Sequence, residues 1–270
     1  ANVNEPGRMI AVMGDAELDE GNIYEAMLEG WKYDVRNLWW IIDYNRQSLD
    51  GVVSDGLFRK IQDFFANVGW NVVPLKYGKK LEKVFALQGG DTLRHWIDDC
   101  PNDLYSALTF KGQSGEKDAW RSPLKKDLRG VHGIKSILED HDDETLHALM
   151  TNLAGHDMEA VLEAFHSVTD DTPQCFIAYT IKGHGTPLAG HRDNHAGLMN
   201  LEQMDVFRSK MQIPEGSEWS AYDNLLIEPE TAKKICLQAP FNKRPPQENE
   251  PPKLTMPDNL PLNFRSSTAT

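Results

Sequence analysis

The chain has 270 residues, of which 40% are hydrophobic and 26% charged, as in a globular protein with room for one large α/β domain. Its net charge of −13 argues against partners that need basic patches, namely nucleic acids and anionic membranes. The sequence shows neither an apolar run long enough to span a membrane nor a signal segment at its start. Three widely spaced cysteines, Cys100, Cys175 and Cys236, indicate incidental thiols in a reducing cytoplasm.

Two apolar runs flank a helical pattern near the start of the chain. Residues 9–13 end at Gly14-Asp15, and residues 38–42 end at Asp43-Tyr44-Asn45. Strand, helix and strand in this order predict a parallel unit in which both strands end at the same edge of a sheet. Asp15 and Asn45 should therefore lie near each other. The apolar face of the intervening helix consists of Ile23, Ala26, Met27, Gly30 and Trp31, and we expect it to face the core.

The residue types at that edge suit a metal and a phosphate. An Asp carboxylate and an Asn amide oxygen are hard ligands of the kind that Mg²⁺ prefers. The helix that follows Asp15 would point its N-terminus, with free N–H groups, toward the same edge. These features favour a magnesium-diphosphate site, and an ordinary turn with a capping Asp is the alternative.

A family resemblance supports the first interpretation. Gly14-Asp15-Ala16-Glu17, followed by Asp43-Tyr44-Asn45, resembles the thiamine-diphosphate motif, and residues 45–51 resemble the following loop of transketolases and homodimeric pyruvate dehydrogenases. Ala16 departs from the motif, which has a second Gly there, and many members carry Asn in place of Asp43. The resemblance implies that the Mg²⁺ ligands are Asp15, the Asn45 side chain and the Gln47 backbone carbonyl. Thiamine diphosphate would contact these three residues and also Gly14, Ala16, Glu17 and Asp43.

The remaining elements follow from apolar spacing. We expect helices over residues 57–68, 142–153, 157–168 and 201–211, strands over 70–75 and 174–179, and short helical pieces between 81 and 108. A last helix over 219–237 would be interrupted by Pro229. Residues 111–133 are polar and basic, which predicts an exposed, mobile segment or, alternatively, a docking surface for an acidic partner. Trp39 and Trp40 are expected in the core.

The segment after the 174–179 strand carries a further set of candidate residues. Residues 180–183, Thr-Ile-Lys-Gly, match the pyruvate dehydrogenase family closely, which implies that Lys182 contacts the cofactor. The loop over 183–197 holds His184, His191 and His195, a set that leaves metal binding open as an alternative. In the family this loop closes over the active site and supplies a catalytic His. His195 matches it best and His191 is the second candidate. His156 is most simply a turn residue bonded to backbone.

The resemblance covers residues 9–270 and is to the decarboxylating component of bacterial homodimeric pyruvate dehydrogenase complexes, with transketolase more distant. It implies an α/β, parallel-sheet, transketolase-like thiamine-diphosphate-binding domain with helices on both faces over 1–239. A Pro-rich linker over 240–270 would lead to an absent pyrimidine-binding domain.

The implied reaction is decarboxylation of a 2-oxo acid with acyl transfer to a lipoyl group. Its partners would be the remaining domains or subunits, in a homodimer or hetero-oligomer, and the lipoyl acyltransferase component. The family's activating glutamate belongs to the absent domain, so we expect the chain alone to be inactive. The alternatives are a transketolase-type ketol transferase and a non-catalytic binding fragment.

Overall fold

A computed structural model describes residues 7–48, 51–52, 56–222, 225–239 and 242. The strands, in chain order, are β1 (Met9–Gly14), β2 (Leu38–Tyr44), β3 (Gln47–Ser48), β4 (Gly51–Val52), β5 (Asn71–Leu75) and β6 (Gln174–Tyr179). Four of them form one parallel sheet in the order β1-β2-β6-β5, and β3 and β4 pair as a small antiparallel ladder. The fold is therefore α/β, with all carboxyl ends of the main strands at one edge.

Helices surround this sheet. They are α1 (Gly21–Lys32), α2 (Leu57–Asn67), α3 (Lys79–Phe85), α4 (Gly90–Asp99), α5 (Asn102–Gln113), α6 (Arg121–Asp127), α7 (Ile134–Glu139), α8 (Asp143–Met150), α9 (Met158–His166), α10 (Leu201–Lys210) and α11 (Pro229–Gln238). There are also two 3₁₀ turns. The first follows β1 and spans Asp15–Asp19, and the second precedes α9 and spans Ala154–His156. No described helix is long and apolar enough to cross a membrane.

Successive residues of the central strands point to opposite faces, and both faces are covered. Trp40 and Ile42 of β2 belong to the larger core cluster with Ile177 of β6, whereas Trp39 and Phe176 belong to a second cluster under α9. Trp39 and Trp40 are 3% and 7% exposed, so their expected burial is confirmed. Every residue of β6 is buried, as expected for an inner strand of a parallel sheet.

The apolar stripe expected on α1 is only partly in the core. Met27 is fully buried, but Ala26 is exposed and Trp31 is 65% exposed, so the prediction of a continuous core-facing stripe is wrong. The physical reason is position, because α1 follows the edge strand β1. Even within β1, the side chains of Ile10 and Val12 are 50% and 71% exposed, because no strand pairs with its other edge in the described sheet.

The basic segment over 111–133 is folded, which contradicts the prediction of an exposed mobile loop. Helix α5 continues to Gln113, and α6 lies within the segment. Trp120, Leu124 and Leu128 are 2%, 0% and 7% exposed and recur every fourth residue, so they form one buried face. The charged residues between these positions make the segment basic on average, so its composition does not show the helical spacing of its apolar residues.

Several local signals predict where elements begin and end. Asp142 and Asp157 accept backbone N–H bonds as the N-caps of α8 and α9, and Gly69 has a φ of 85° just after α2, a conformation that is common where a helix ends. Pro229 begins α11 and does not interrupt a longer helix, because Pro is compatible with the first helical turn.

The chain divides into two compact units, Ala1–Phe207 and Arg208–Thr270. The sheet and all the candidate site residues belong to the first unit. Within the second, Arg208 donates to the backbone oxygen of Ile213. The Pro-rich linker expected over 240–270 lies outside the described residues except for Asn242.

Candidate functional site

The carboxyl ends of β1 and β2 bring the candidate metal ligands to one place. Gly14 is in register with Asp43, so the two strands end side by side. Asp15, the next residue, is 3% exposed, and its Oδ2 accepts a 2.9 Å hydrogen bond from the backbone N–H of Arg46. This bond attaches the carboxylate to the residue that follows Asn45. The Asn45 Oδ1 in turn accepts a 3.0 Å bond from the Gln47 N–H.

The Asp15 carboxylate is electrostatically strained in the protein alone. Burial is the main cause that raises its pKa from 3.8 to about 6, and repulsion by Asp43 adds to the increase. Backbone N–H groups, chiefly that of Arg46, oppose the shift without cancelling it. Among the described residues, no cationic side chain pairs with Asp15. A bound cation would supply the missing counter-charge.

The donor set fits Mg²⁺. It comprises the Asp15 carboxylate, the Asn45 amide oxygen, which keeps a second lone pair beside its bond from Gln47, and the Gln47 carbonyl. All three are oxygen donors, and water and phosphate oxygens could complete an octahedral shell. Over the described residues there is no cluster of three or more His, Cys, Asp or Glu side chains that could hold a metal ion. The candidate ligands are therefore one carboxylate, that of Asp15, and the neutral oxygens of Asn45 and Gln47.

The turn after β1 is a 3₁₀ helix, and α1 begins only at Gly21. The Glu17 Oε1 accepts a 2.8 Å bond from the Gly14 N–H, so this side chain stabilises the turn. Leu18 is 6% exposed and its carbonyl accepts a bond from the Tyr24 hydroxyl. Glu17 thus occupies the N–H of Gly14, and the expectation that a helix begins directly after Asp15 is wrong, because a 3₁₀ turn intervenes.

The end of β6 is attached to the same edge. The Thr180 hydroxyl donates to the Asp43 carboxylate, and the Thr180 N–H donates to the carbonyl of Tyr44. One residue on, the Ile181 N–H donates to Nε2 of His156, a 2.8 Å bond. The His156 ring also stacks on His184 at 3.7 Å between centroids. His156 therefore holds the backbone that leads to Lys182, in agreement with its interpretation as a residue bonded to backbone.

The loop with the candidate catalytic histidines is anchored on α5. Gly190, at a φ of +75°, lies so close to Thr109 that a Cβ there would be 2.9 Å from its methyl carbon. The Asn194 amide donates to the carbonyl of Lys182, a 2.8 Å bond that closes the loop. The His191 ring contacts Phe110 at 4.6 Å between centroids, whereas His195 is exposed.

Gln47 joins the loop to the candidate metal site. Its side-chain Nε2 lies 3.4 Å from the Gly190 carbonyl and 3.4 Å from the Ser106 hydroxyl, while its backbone is next to Asn45. The Gln47 side chain is 3% exposed. Movement of the loop over 183–197 would therefore change the position of Gln47, a candidate metal ligand.

Arg46 was not singled out by sequence reasoning, although it lies between two candidate ligands. It is 7% exposed, has a φ of 65°, and places its guanidinium carbon 4.1 Å from the centroid of the Tyr105 ring. Its Nε has no hydrogen-bond partner in the part of the chain that the structure describes. The sequence did contain a signal for Arg46, namely a charged residue between two candidate metal ligands.

Several curated proteins that are similar to this chain carry the name pyruvate dehydrogenase E1 component. The Cupriavidus necator protein is 25% identical over 232 residues, which is 83% of this chain and 25% of that protein. The Escherichia coli K12 protein is 26% identical over 212 residues (76% and 23%), and that of Pseudomonas aeruginosa is 28% identical over 212 residues (75% and 23%). The chain thus spans about a quarter of the length of these relatives. No protein-family model matches the sequence.

Proposed function

We propose that this chain is the diphosphate- and magnesium-binding part of a thiamine-diphosphate-dependent decarboxylating component of a 2-oxo acid dehydrogenase, with pyruvate as substrate. The observation that carries the proposal is the buried Asp15 carboxylate, which has no cationic partner among the described residues and accepts a hydrogen bond from the backbone beside Asn45. Similarity to pyruvate dehydrogenase E1 components over about three quarters of the chain supports it.

The roles of the residues follow from their positions. Asp15, Asn45 and Gln47 would hold Mg²⁺, which would bind the diphosphate, and the turn over 14–17 and Lys182 would line the cofactor. Bound thiamine diphosphate supplies the electron sink for decarboxylation. The chain's own part is to bind the charged end, orient it against the sheet edge and exclude water.

The loop over 183–197 would act as a lid. Its tie to Gln47 through Gly190 would make cofactor binding and loop position depend on each other. We assign the proton-transferring role to the exposed His195, which can approach a ligand at the edge, and keep His191 as the second candidate. Closure of such a lid excludes water from the reacting centre.

The reaction also needs parts that this chain does not provide. The glutamate that activates the cofactor in the resembling family has no counterpart here, so the chain alone would be inactive. Ile10 and Val12 on the open face of β1 are apolar and exposed, which suits contact with the remaining domains or subunits. The acyl acceptor would be the lipoyl acyltransferase component.

Isothermal titration calorimetry with thiamine diphosphate tests the proposal. The wild-type chain should bind in the presence of Mg²⁺ and lose most of its affinity without it. Asp15→Asn should weaken binding at least about tenfold, since one lost charge-assisted ligand is worth more than 1.4 kcal/mol. Asp34→Asn is the matched control, because Asp34 is exposed and lies at the opposite end of the strands.

Two results would contradict the proposal. One is cofactor affinity that does not depend on Mg²⁺, and the other is equal affinity in wild-type and Asp15→Asn chains. Circular dichroism of each variant would establish that the fold is kept.

A further inference from the structure

A second recess lies beside the candidate cofactor site, at the ends of β2, β6 and β5. It is a cavity of about 1080 Å³ whose wall includes Tyr44, Leu75 and Tyr179, the last residues of those three strands. Helices α2, α3, α4 and α9 and the loops after the strands supply further parts of the wall. Asp15, Asn45 and Gln47 do not line it, whereas Arg46 does. The cavity is thus a neighbour of the candidate metal site and not the same place.

Three cations in this cavity gather around two tyrosine rings. The Lys76 Nζ lies 5.4 Å from the centroid of the Tyr179 ring, and the guanidinium carbon of Arg46 lies 5.9 Å from the same centroid. On the other side, Lys76 and Arg94 lie 5.2 Å and 5.5 Å from the centroid of the Tyr77 ring. Lys76 contacts both rings, and Arg46 and Arg94 each contact one of them.

One carboxylate faces these three cations. Asp98 accepts hydrogen bonds from the Lys76 ammonium and the Tyr77 hydroxyl, and one of its oxygens lies 4.0 Å from Nε of Arg94. Burial lowers the pKa of Lys76, and repulsion by Arg46 and Arg94 adds to this effect against the attraction of Asp98. The local cluster has a surplus of positive charge.

The other charged groups that line the cavity have a net charge of −1, so they reduce this surplus without removing it. Lys79 pairs with Glu82 and Glu163 at another part of the wall. Arg59 and Asp99 contribute opposite charges. Within the described residues, Asp98 is therefore the one carboxylate that pairs with members of this cluster, namely Lys76 and Arg94.

Arg46 is the member whose position most needs explaining. It is more than nine-tenths buried and stacks on the Tyr105 ring, but among the described residues its Nε has no hydrogen-bond partner and no carboxylate pairs with its guanidinium. Burial of an unpaired charge is costly unless a ligand or partner compensates for it. The planar guanidinium offers paired N–H donors whose spacing matches two oxygens of one phosphate.

We propose that this cavity binds a phosphate-bearing small molecule, whose phosphate lies between Arg46, Lys76 and Arg94. A phosphate dianion would balance the surplus of about two positive charges that Asp98 leaves, which a single carboxylate cannot do. Tyr77 and Tyr179 provide ring surfaces for the rest of the ligand. This site is separate from the one at Asp15 and does not depend on the proposed function.

Calorimetry of the full chain with inorganic phosphate, at constant ionic strength, tests this proposal. Saturable binding is expected, with acetate at the same ionic strength binding at least about tenfold more weakly because it carries half the charge. Arg46→Gln and Arg94→Gln should each weaken phosphate binding about tenfold or more. Arg129→Gln, which changes an exposed residue outside the cavity, should leave it unchanged.

Asp15→Asn separates the two sites, because it removes the charge of the candidate metal ligand, while the Asn side-chain oxygen can still accept the hydrogen bond from the Arg46 backbone N–H. Retained phosphate affinity in this variant supports a separate site, whereas its loss would show that phosphate reports the cofactor site and would overturn the proposal. Equal affinities for phosphate and acetate, or equal affinities of the wild-type and Arg94→Gln chains, would also overturn it. Arg94 has a side chain that is 54% exposed, so the test stands even if Arg46→Gln fails to fold.

Discussion

Asp15→Asn should make the protein more stable when no ligand is bound. The carboxylate is buried without a cation, and its pKa is raised from 3.8 to about 6. A shift of this size means that burial of the ionised group costs about 3 kcal/mol at neutral pH. Asn removes the charge but leaves one N–H donor poorly matched, which costs about 1 kcal/mol. The net gain in the free energy of unfolding is about 2 kcal/mol.

The sign of the pH dependence follows from the direction of the shift. For an acid whose pKa is raised in the folded state, the destabilisation is absent below the unfolded pKa of 3.8, grows as pH rises toward 6, and is constant above that value. The advantage of Asp15→Asn should therefore be about 2 kcal/mol smaller near pH 4.5 than near pH 7.5.

Urea unfolding followed by tryptophan fluorescence measures this advantage at the two pH values. Asp142→Asn is a control of opposite sign, since hydrogen bonds at the N-cap of α8 lower the pKa of Asp142. That variant should lose stability at neutral pH. A loss of stability in Asp15→Asn at both pH values would refute the reasoning and would show that Asp15 is a structural cap.

Other measurements test the rest of the account. Burial, with His184 nearby, lowers the pKa of His156 to about 4. The free energy of unfolding should therefore be constant above pH 6.5 and fall by about 3 kcal/mol as the pH drops toward 4. Protonation of His156 near pH 6.5 in an NMR titration would contradict this. Trp120→Ala should lower the free energy of unfolding in urea by about 3–5 kcal/mol. Trp219→Ala is the control, because Trp219 is 99% exposed, and it should lower this free energy by less than about 0.5 kcal/mol. Equal losses in the two variants would mean that the basic segment is not part of the core. The purified chain with thiamine diphosphate, Mg²⁺, pyruvate and an artificial electron acceptor should turn over far more slowly than about 1 per second, and turnover at that rate would show that no further domain is needed.

The sequence predicted the parts of the fold that depend on local pattern. Apolar runs gave the parallel strands, and capping residues such as Asp142 and Asp157 gave helix starts, because both signals act within a few residues. The failures had tertiary causes. Trp31 is on the apolar face of its helix but lies beside an edge strand, and Trp120 packs in the core from a segment whose composition is basic.

The sequence predicted which residues belong to the candidate site, but not the side-chain contacts that join them to the rest of the protein. The motif identified Asp15 and Asn45, which are contributed by neighbouring strand ends. No local pattern could show that the Gln47 side chain reaches Gly190, because 143 positions separate them. The same holds for the approach of Arg46 to Tyr105 and Tyr179, which depends on how α5 and β6 meet around β2.

Location of the metal tests the central claim most directly. Crystals of the chain grown with thiamine diphosphate and Mn²⁺ in place of Mg²⁺ would give an anomalous difference map in which the ion stands out from lighter atoms. The account predicts one strong peak within coordination distance of the Asp15 carboxylate and the Asn45 amide oxygen, with the cofactor's diphosphate beside it. A cofactor bound with no peak there, or with the ion held by other residues, would contradict the account.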